Sequence, residues 1–215
     1  MLSVIDLLEA ETLTPEQAAW LLDRIWTGGS WMVGAGPGGA GKTTVMSALL
    51  AMMPAGEEIR LTNRDTGWES SPPGTALLSY ELSPGWYDGY IWGDAVRKYM
   101  ALGAAGRRLV SNLHADTLAQ ARGQIVDQCG ADPAHFSALG TFIPVTVGGG
   151  FRASRRRVER IHYYDAAEGG WRLLSRDHRP SARERRIADF CAGLSRSGVR
   201  RVEDVREAWL HRPPP

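Results

Sequence analysis

The sequence predicts an α/β fold in which helices flank a mostly parallel central sheet. Between residues 30 and 127, apolar segments of strand length alternate with segments of helical spacing, which is typical of parallel sheets covered on both faces. After residue 140, further strands follow one another through glycine-rich turns, which predicts that antiparallel strands are added late. Two segments of helical spacing come last, so a helical C-terminus is expected.

The predicted elements follow from apolar spacing and from the residues that bound them. The first helix begins at Thr14 and Pro15, which suit the N-cap and N1 positions, and Gly28 ends it. The predicted strands cover residues 30–34, 58–62, 75–80, 108–113, 142–147, 156–164 and 170–174. The other predicted helices cover residues 42–53, 90–102, 117–127, 181–194 and 202–210. We expect a main domain at 1–175, with a short helical lead-in, and a helical appendage at 176–215.

Composition excludes several classes of protein. Apolar residues make up 43% and charged residues 23% of the 215 residues, which excludes wholesale disorder. A net charge of +1 gives no specific signal for nucleic acid. The two cysteines, Cys129 and Cys191, cannot form the disulfide framework of a small secreted protein.

No segment of the sequence predicts a transmembrane helix or a signal peptide. The longest apolar stretch, near residues 46–53, reaches about half of the ~20 residues that a membrane-spanning helix needs. The first six residues contain no basic segment ahead of an apolar run. A cytoplasmic location is therefore the expectation.

A glycine-rich loop between the strand at 30–34 and the helix at 42–53 carries the clearest functional signal. Residues 36–43 fit the G-x-x-x-x-G-K-[ST] pattern of a phosphate-binding loop. Glycines let backbone N–H groups turn towards phosphates, Lys42 can reach the β- and γ-phosphates, and the Thr43 hydroxyl can ligate Mg²⁺. The predicted nucleotide-binding residues are Gly36, Pro37, Gly38, Gly39, Ala40, Gly41, Lys42, Thr43 and Thr44.

Polar side chains follow three of the predicted strands. Because ligands of an open parallel sheet lie at the carboxyl ends of its strands, these side chains are candidates for chemistry. Glu81 follows an apolar strand, where a carboxylate can polarise the attacking water or hold Mg²⁺ through water. His114 can sense the γ-phosphate through an imidazole N–H, or it can be a hydrogen-bonded core histidine. Asp65 follows the strand at 58–62.

Several separate segments resemble the secretion superfamily of hexameric ATPases, which drive type II secretion, type IV pili and type IV secretion. Residues 36–50 resemble that family's phosphate loop and its helix, and residues 53–59 resemble the turn into its second strand. Residues 105–116, which contain Ser111, Asn112 and His114, resemble its histidine box, which kinases and small GTPases lack. The arginine-rich segment at 155–161 resembles the late strand of the pilus-assembly branch.

The resemblance covers about residues 14–165 and implies a RecA-like P-loop NTPase with ATP and Mg²⁺ as cofactors. It implies Glu81, His114 and Asp65 as catalytic residues, and Thr43 and Glu81 as magnesium ligands. It also implies a homo-oligomer, a hexameric ring, whose partners are subunits of secretion or pilus machinery. The sequence departs from the family at its acidic box, where only Asp65 remains, and at the Gly-Glu-x-Arg stretch, where Ser83 replaces arginine.

Three functions stay open on the sequence. The leading one is an ATP-hydrolysing motor-type domain, and the altered acidic box favours a non-hydrolysing regulatory or assembly module as the alternative. A small P-loop kinase is the third, although no arginine-rich lid lies between the central strands. The arginines at 152–160 can face a neighbour's nucleotide or form a solvated strand face. Five aromatic residues are interpreted as core or subunit contacts: Trp68, Trp86, Tyr87, Tyr90 and Trp92.

Overall fold

One central sheet organises the protein in a computed structural model that describes residues 1–36, 38–63, 67–149, 155–175 and 177–211. The strands are β1 (Trp31–Gly34), β2 (Ile59–Leu61), β3 (Ala76–Leu82), β4 (Tyr90–Ile91), β5 (Arg108–Leu113), β6 (Thr141–Pro144), β7 (Thr146–Gly148), β8 (Arg155–Arg157), β9 (His162–Asp165) and β10 (Gly170–Leu173). The α-helices are α1 (Val4–Glu9), α2 (Pro15–Trp26), α3 (Lys42–Leu50), α4 (Asp94–Ala104), α5 (Leu118–Arg122), α6 (Ala182–Arg196) and α7 (Val202–His211).

The central sheet has eight strands in the order β10-β9-β6-β1-β5-β3-β2, with β4 paired to β3. Every pairing from β6 through to β2 is parallel, and so is the pairing of β4 with β3. Strand β9 is antiparallel to β6, and β10 is antiparallel to β9. Strands β7 and β8 form a separate antiparallel hairpin. The predicted α/β architecture, with a mostly parallel sheet and antiparallel strands added late, is therefore confirmed.

Two apolar clusters cover the two faces of the sheet. Within β1, Trp31 and Val33 belong to one cluster and Met32 to the other, as expected for side chains that alternate along a strand. The first cluster takes its helical residues from α1, α2, α3, α6 and α7. The second takes them from α4, α5 and the neighbouring short helical turns. Helices therefore flank the sheet on both faces, as predicted.

The C-terminal helices pack into the first of these clusters. Trp209 of α7 is fully buried, and its indole N–H donates to the carbonyl of Met52 at 2.8 Å. Helix α6 packs along α2, and Arg183 at its start forms an ion pair with Asp23 of α2. The helical C-terminus is confirmed, whereas the boundary at residue 175 stays a prediction. Within the described residues, no helix combines the length and the apolar character needed to cross a membrane.

Helix starts agree well with the sequence, because their signals are local. Thr14 caps α2 through its hydroxyl, which accepts from the N–H of Gln17. In return, the side-chain oxygen of Gln17 accepts from the N–H of Thr14. Ser181 caps α6 in the same reciprocal way with Glu184. One helix departs from regularity: the predicted helix at 117–127 begins as α5 and continues as a π-helix over Gly123–Gln128.

Three predicted elements are wrong. Residues 90–102 are not one helix, because Tyr90 and Ile91 pair with β3 and Gly93, at a φ of +58°, separates them from α4. Residues 156–164 are not one strand, because the N–H of Val158 donates to Thr12 at 2.8 Å and draws the chain out of the β7–β8 hairpin. The predicted strand at 142–147 is likewise divided between β6 and β7.

Candidate functional site

The phosphate-loop pattern lies between β1 and α3, where the sequence predicts it. All four residues of β1 are buried between β5 and β6, which holds the start of the loop in the middle of the sheet. Gly41 is the N-cap of α3 and has a φ of +94°, a conformation that favours glycine. Because Gly41 has no side chain, no capping oxygen occupies the first N–H groups of α3. These groups can therefore bind an anion.

Two side chains from distant parts of the chain hold the loop from outside. The carboxylate of Asp116 accepts from the N–H of Gly36 at 2.6 Å. The guanidinium of Arg156, on β8, donates to the carbonyl of Gly39 at 3.2 Å. The stem of Arg156 also lies against Gly41, where an added Cβ would come within 2.9 Å of Arg156 Cδ. The loop is thus fixed at its first glycine, at its middle and at its last glycine.

Lys42, Glu81 and His114 meet at the loop. Lys42 Nζ lies 3.1 Å from Glu81 Oε1, and His114 Nε2 lies 3.2 Å from the same carboxylate oxygen. Lys42 Nζ is 3.3 Å from His114 Nδ1. The three residues come from the start of α3, from β3 and from the end of β5. The structure therefore brings together the predicted phosphate-binding lysine and two of the three predicted catalytic residues.

The carboxylate of Glu81 is buried rather than at the surface. The predicted strand ends at residue 80, but β3 continues through Leu82, so Glu81 lies inside the strand. Lys42 and Glu81 each keep only 7% of their surface exposed. Burying a charge is costly unless an opposite charge compensates it, so each of these two side chains stabilises the other in its charged form. A phosphate that binds Lys42 therefore competes directly with Glu81.

His114 can donate to Glu81 only if its Nε2 atom carries a proton. Nδ1 then faces two different groups: the ammonium of Lys42, which donates, and the carbonyl of Gly36 at 3.1 Å, which accepts. A neutral ring accepts from Lys42 at Nδ1, whereas a charged ring donates to Gly36. The imidazole, with 42% of its side chain exposed, can thus change its hydrogen bonds with its charge.

Asn112 connects the loop helix to the strand that carries Glu81. Its amide nitrogen donates to the carbonyl of Tyr80 at 2.9 Å and lies 3.4 Å from the hydroxyl of Thr43. Asn112 is buried on β5, between β1 and β3. Thr43 itself is exposed, so its oxygen is accessible to a ligand. Sequence reasoning missed Asn112, although it lies inside the segment that resembles the histidine box.

Tyr90 is a second residue beside Glu81 that sequence reasoning did not place at the site. It is opposite Glu81 in the pairing of β4 with β3. Partial burial raises the pKa of the Tyr90 hydroxyl, and the hydrogen bond that it donates to Glu81 raises the pKa further. Tyr90 therefore stays protonated at neutral pH and is a donor to the carboxylate. No sequence signal pointed to it, because residues 90–102 resemble a helix.

Magnesium fits the oxygen atoms that the loop presents. Within the described ranges, no group of three or more His, Cys, Asp or Glu side chains is arranged to hold a metal ion. Magnesium at a phosphate loop needs no such group, because it takes phosphate oxygens, water and only one or two protein oxygens. The exposed hydroxyl of Thr43 is an oxygen ligand of this kind, and Glu81 can contribute through water.

Pro37 and Asp65 lie outside the described residues, so their placement as nucleotide-binding and catalytic residues stays a prediction. Asn63, at the end of β2, accepts from the N–H of Gly89 at 2.6 Å. The predicted aromatic group divides, with Trp68 buried against Tyr99 and Trp86 87% exposed.

Comparisons with known proteins identify no family. No family model matches the chain, and no curated protein does. Among solved structures, the chain is similar to the VirB11 ATPase from the Brucella suis type IV secretion system in complex with sulphate. That similarity has a TM-score of 0.48 and 16% sequence identity, and it covers 74% of this chain and 55% of the other. The chain thus spans about half the length of that protein. The geometry around Lys42 is what supports a function for this chain.

Proposed function

We propose that this chain is a magnesium-dependent ATPase with a RecA-like P-loop fold. One observation carries the proposal: the buried carboxylate of Glu81 lies 3.1 Å from the phosphate-loop lysine, although β5 lies between β3, which carries Glu81, and β1, which leads into the loop. A carboxylate so close to the predicted γ-phosphate site can orient and deprotonate a water molecule. The resemblance of residues 36–50 and 105–116 to secretion ATPases agrees with this assignment.

The residues of this chain divide the work of hydrolysis. The N–H groups at the start of α3 and the ammonium of Lys42 bind the β- and γ-phosphates, which removes Lys42 from Glu81. Glu81 then accepts a proton from the attacking water, whose oxygen bonds to the γ-phosphorus as the bond to the ADP oxygen breaks. When magnesium is bound, held by Thr43, it would neutralise charge on the phosphate oxygens.

His114 and Tyr90 control the state of this carboxylate. Tyr90 donates a hydrogen bond to Glu81, and His114 Nε2 lies 3.2 Å from Glu81 Oε1, so both side chains position the carboxylate. His114 also contacts the carbonyl of Gly36, which links the histidine to the loop. We assign His114 to sensing the γ-phosphate, because a bound γ-phosphate draws away the ammonium of Lys42, which lies beside His114 Nδ1.

A second candidate function has its own observation. Glu81 contacts Lys42 and His114 at once, and a carboxylate that keeps both contacts is not free to accept a proton from water. A protein that kept this pairing with nucleotide bound would be a non-hydrolysing module whose nucleotide state controls assembly. The homo-oligomer, the hexameric ring and the secretion or pilus partners are proposals that rest on the resemblance alone, and the cytoplasmic location is a proposal that rests on the sequence.

Phosphate release tests the ATPase against the module and the kinase. We expect the protein to release phosphate from ATP with no added acceptor, and chelation of Mg²⁺ to slow release about tenfold or more, because charge on the phosphates is then not neutralised. Phosphate release is measured on the protein in its native oligomeric state, over a range of protein concentrations. Release that requires an added acceptor would identify a kinase instead. Absence of release at every concentration would favour the module.

His114→Ala is expected to lower turnover about tenfold and to leave the Kd for ADP within about twofold. The histidine lies beside Lys42 and Glu81 at the end of the loop where the γ-phosphate would bind, and ADP has no γ-phosphate. Turnover and ADP affinity are measured on the same preparation. A purely structural histidine would behave differently, because its loss would lower the melting temperature and weaken ATP and ADP binding alike. His135→Ala is a control, since His135 lies in a surface helical turn away from the loop.

A further inference from the structure

A cavity of about 260 Å³ adjoins the phosphate loop. Its walls include Leu7 from α1, Ala10 directly after that helix, Gly41 and Thr44 from the loop and its helix, and Arg155 from β8. Lys42, Glu81 and His114 are not among the described residues that line it. The cavity and the Lys42–Glu81 pair therefore border different parts of the same loop. Its volume approaches the lower end, about 300 Å³, of small-ligand pockets.

The direction of a bound triphosphate follows from the loop residues. Lys42 reaches the β- and γ-phosphates, so Glu81, which contacts Lys42, lies at the γ-phosphate end of the triphosphate. The backbone N–H groups of the loop hold the α- and β-phosphates. The α-phosphate end must therefore point away from Glu81, and the cavity is bordered by Gly41 and Thr44 of the loop rather than by Lys42 or Glu81. The group attached to the α-phosphate would therefore lie next to the cavity.

The cavity walls suit a flat, mainly apolar group. Leu7, Val45 and Val145 are buried apolar side chains that line it. Two exposed arginines, Arg155 and Arg156, also line it. A guanidinium is planar and stacks on the face of an aromatic ring system. The lining therefore offers a base both apolar contacts and a stacking partner.

The arginine side of the cavity is held in place by the loop. Arg156 donates to the carbonyl of Gly39, and its stem packs on Gly41. Arg156 pairs with Val147 across the β7–β8 hairpin, and Gly148 pairs with Arg155 in the next position. Among the described residues, no carboxylate forms an ion pair with Arg155 or Arg156. Their positive charge is therefore available to the anion that the loop binds.

We propose that this cavity, between α1, the start of α3 and the β7–β8 hairpin, binds the nucleoside of a nucleoside triphosphate. The proposal rests on the proposed phosphate-loop function and adds the residues that recognise the rest of the ligand. Helix α1 and its C-cap thereby become part of the binding site, because Leu7 and Ala10 line the cavity. Arg155 acts as a stacking residue, and Arg156 also positions the loop.

The test compares two ligands, ATP and inorganic triphosphate, each with Mg²⁺, by calorimetric titration. Wild type is expected to bind ATP at least about tenfold more tightly, because only ATP carries a nucleoside. Ala10→Phe fills the cavity from an exposed position and is expected to weaken ATP binding about tenfold, with triphosphate binding changed less than about twofold. Arg155→Lys keeps the charge but removes the planar guanidinium. We expect it to weaken ATP binding about threefold or more, again with triphosphate binding almost unchanged.

Matched controls are Ala55→Phe and Arg160→Lys, at exposed positions that do not line the cavity within the described residues. Both should bind the two ligands as wild type does. Equal affinity of wild type for ATP and triphosphate would overturn the cavity assignment while leaving the phosphate loop intact. So would unchanged ATP affinity in Ala10→Phe and Arg155→Lys. Wild type that binds neither ligand would overturn the phosphate-loop function itself. If Ala10→Phe unfolds, Arg155→Lys decides alone.

Discussion

Glu81→Gln is expected to keep ATP bound while slowing hydrolysis about 10²–10⁴-fold, the usual effect of removing a general base. Glutamine has the same shape, and its amide oxygen can still accept from Lys42 and His114, whose contacts with Glu81 are 3.1 and 3.2 Å long. It cannot take a proton from water. Binding should therefore change little, and the loss should appear in kcat. The measurement pairs steady-state phosphate release with the Kd for ATP.

Glu58→Gln is the matched control for this variant. Glu58 is exposed and forms a surface ion pair with Arg60, so its loss should leave both turnover and stability almost unchanged. Turnover at the wild-type rate in Glu81→Gln would show that Glu81 is not the base. Asp65 would then become the next candidate, since it is the remaining carboxylate that the resemblance implies.

Lys42→Ala is expected to weaken ATP binding at least about tenfold, because removing one partner of a desolvated charge pair costs ~2–5 kcal/mol. Lys42 is buried, with its ammonium aimed at the carboxylate of Glu81. A phosphate at the loop would take the same ammonium as its partner. Calorimetry with ATP and Mg²⁺ measures the loss, and wild-type affinity in the variant would refute the phosphate-loop assignment.

Loss of Lys42 also removes the counter-charge of Glu81, so folding has to be separated from binding. The double variant Lys42→Ala, Glu81→Gln removes the unpaired carboxylate, and it should recover stability in a urea titration without recovering ATP affinity. Lys98→Ala is the matched control. Lys98 is the other lysine of the sequence, and it is exposed on α4, 3.6 Å from Glu69. It should bind ATP as wild type does.

Most of the sheet could be predicted because its inner strands are short apolar runs bounded by turn residues. The prediction for β5 matches the structure at both ends, and helix starts such as Thr14 match because capping is a local signal. Errors appear where contacts distant in sequence decide. Tyr90 pairs with β3 instead of starting a helix, and Val158 leaves its strand to reach Thr12.

The candidate site was predictable to the extent that topology decides it. The rule that ligands lie at the carboxyl ends of parallel strands was enough to select Glu81 and His114, and both meet Lys42. The surrounding residues were not predictable. Asp116 contacts a loop residue 80 positions earlier in the chain, and Arg156 contacts one 117 positions earlier. Such distances leave no periodic pattern in the sequence.

The place of β1 in the sheet has a consequence for synthesis on the ribosome. Its two neighbours, β5 and β6, are both made much later, so the strand that carries the phosphate loop emerges with both edges unpaired. Roughly 110 residues separate the ends of β1 and β6, and at about 5–20 residues per second their translation takes on the order of 5–20 s. Until β5 has been made, Trp31, Met32 and Val33 have no neighbouring strand of the sheet beside them. The nascent chain therefore exposes an aggregation-prone segment that chaperones are suited to cover.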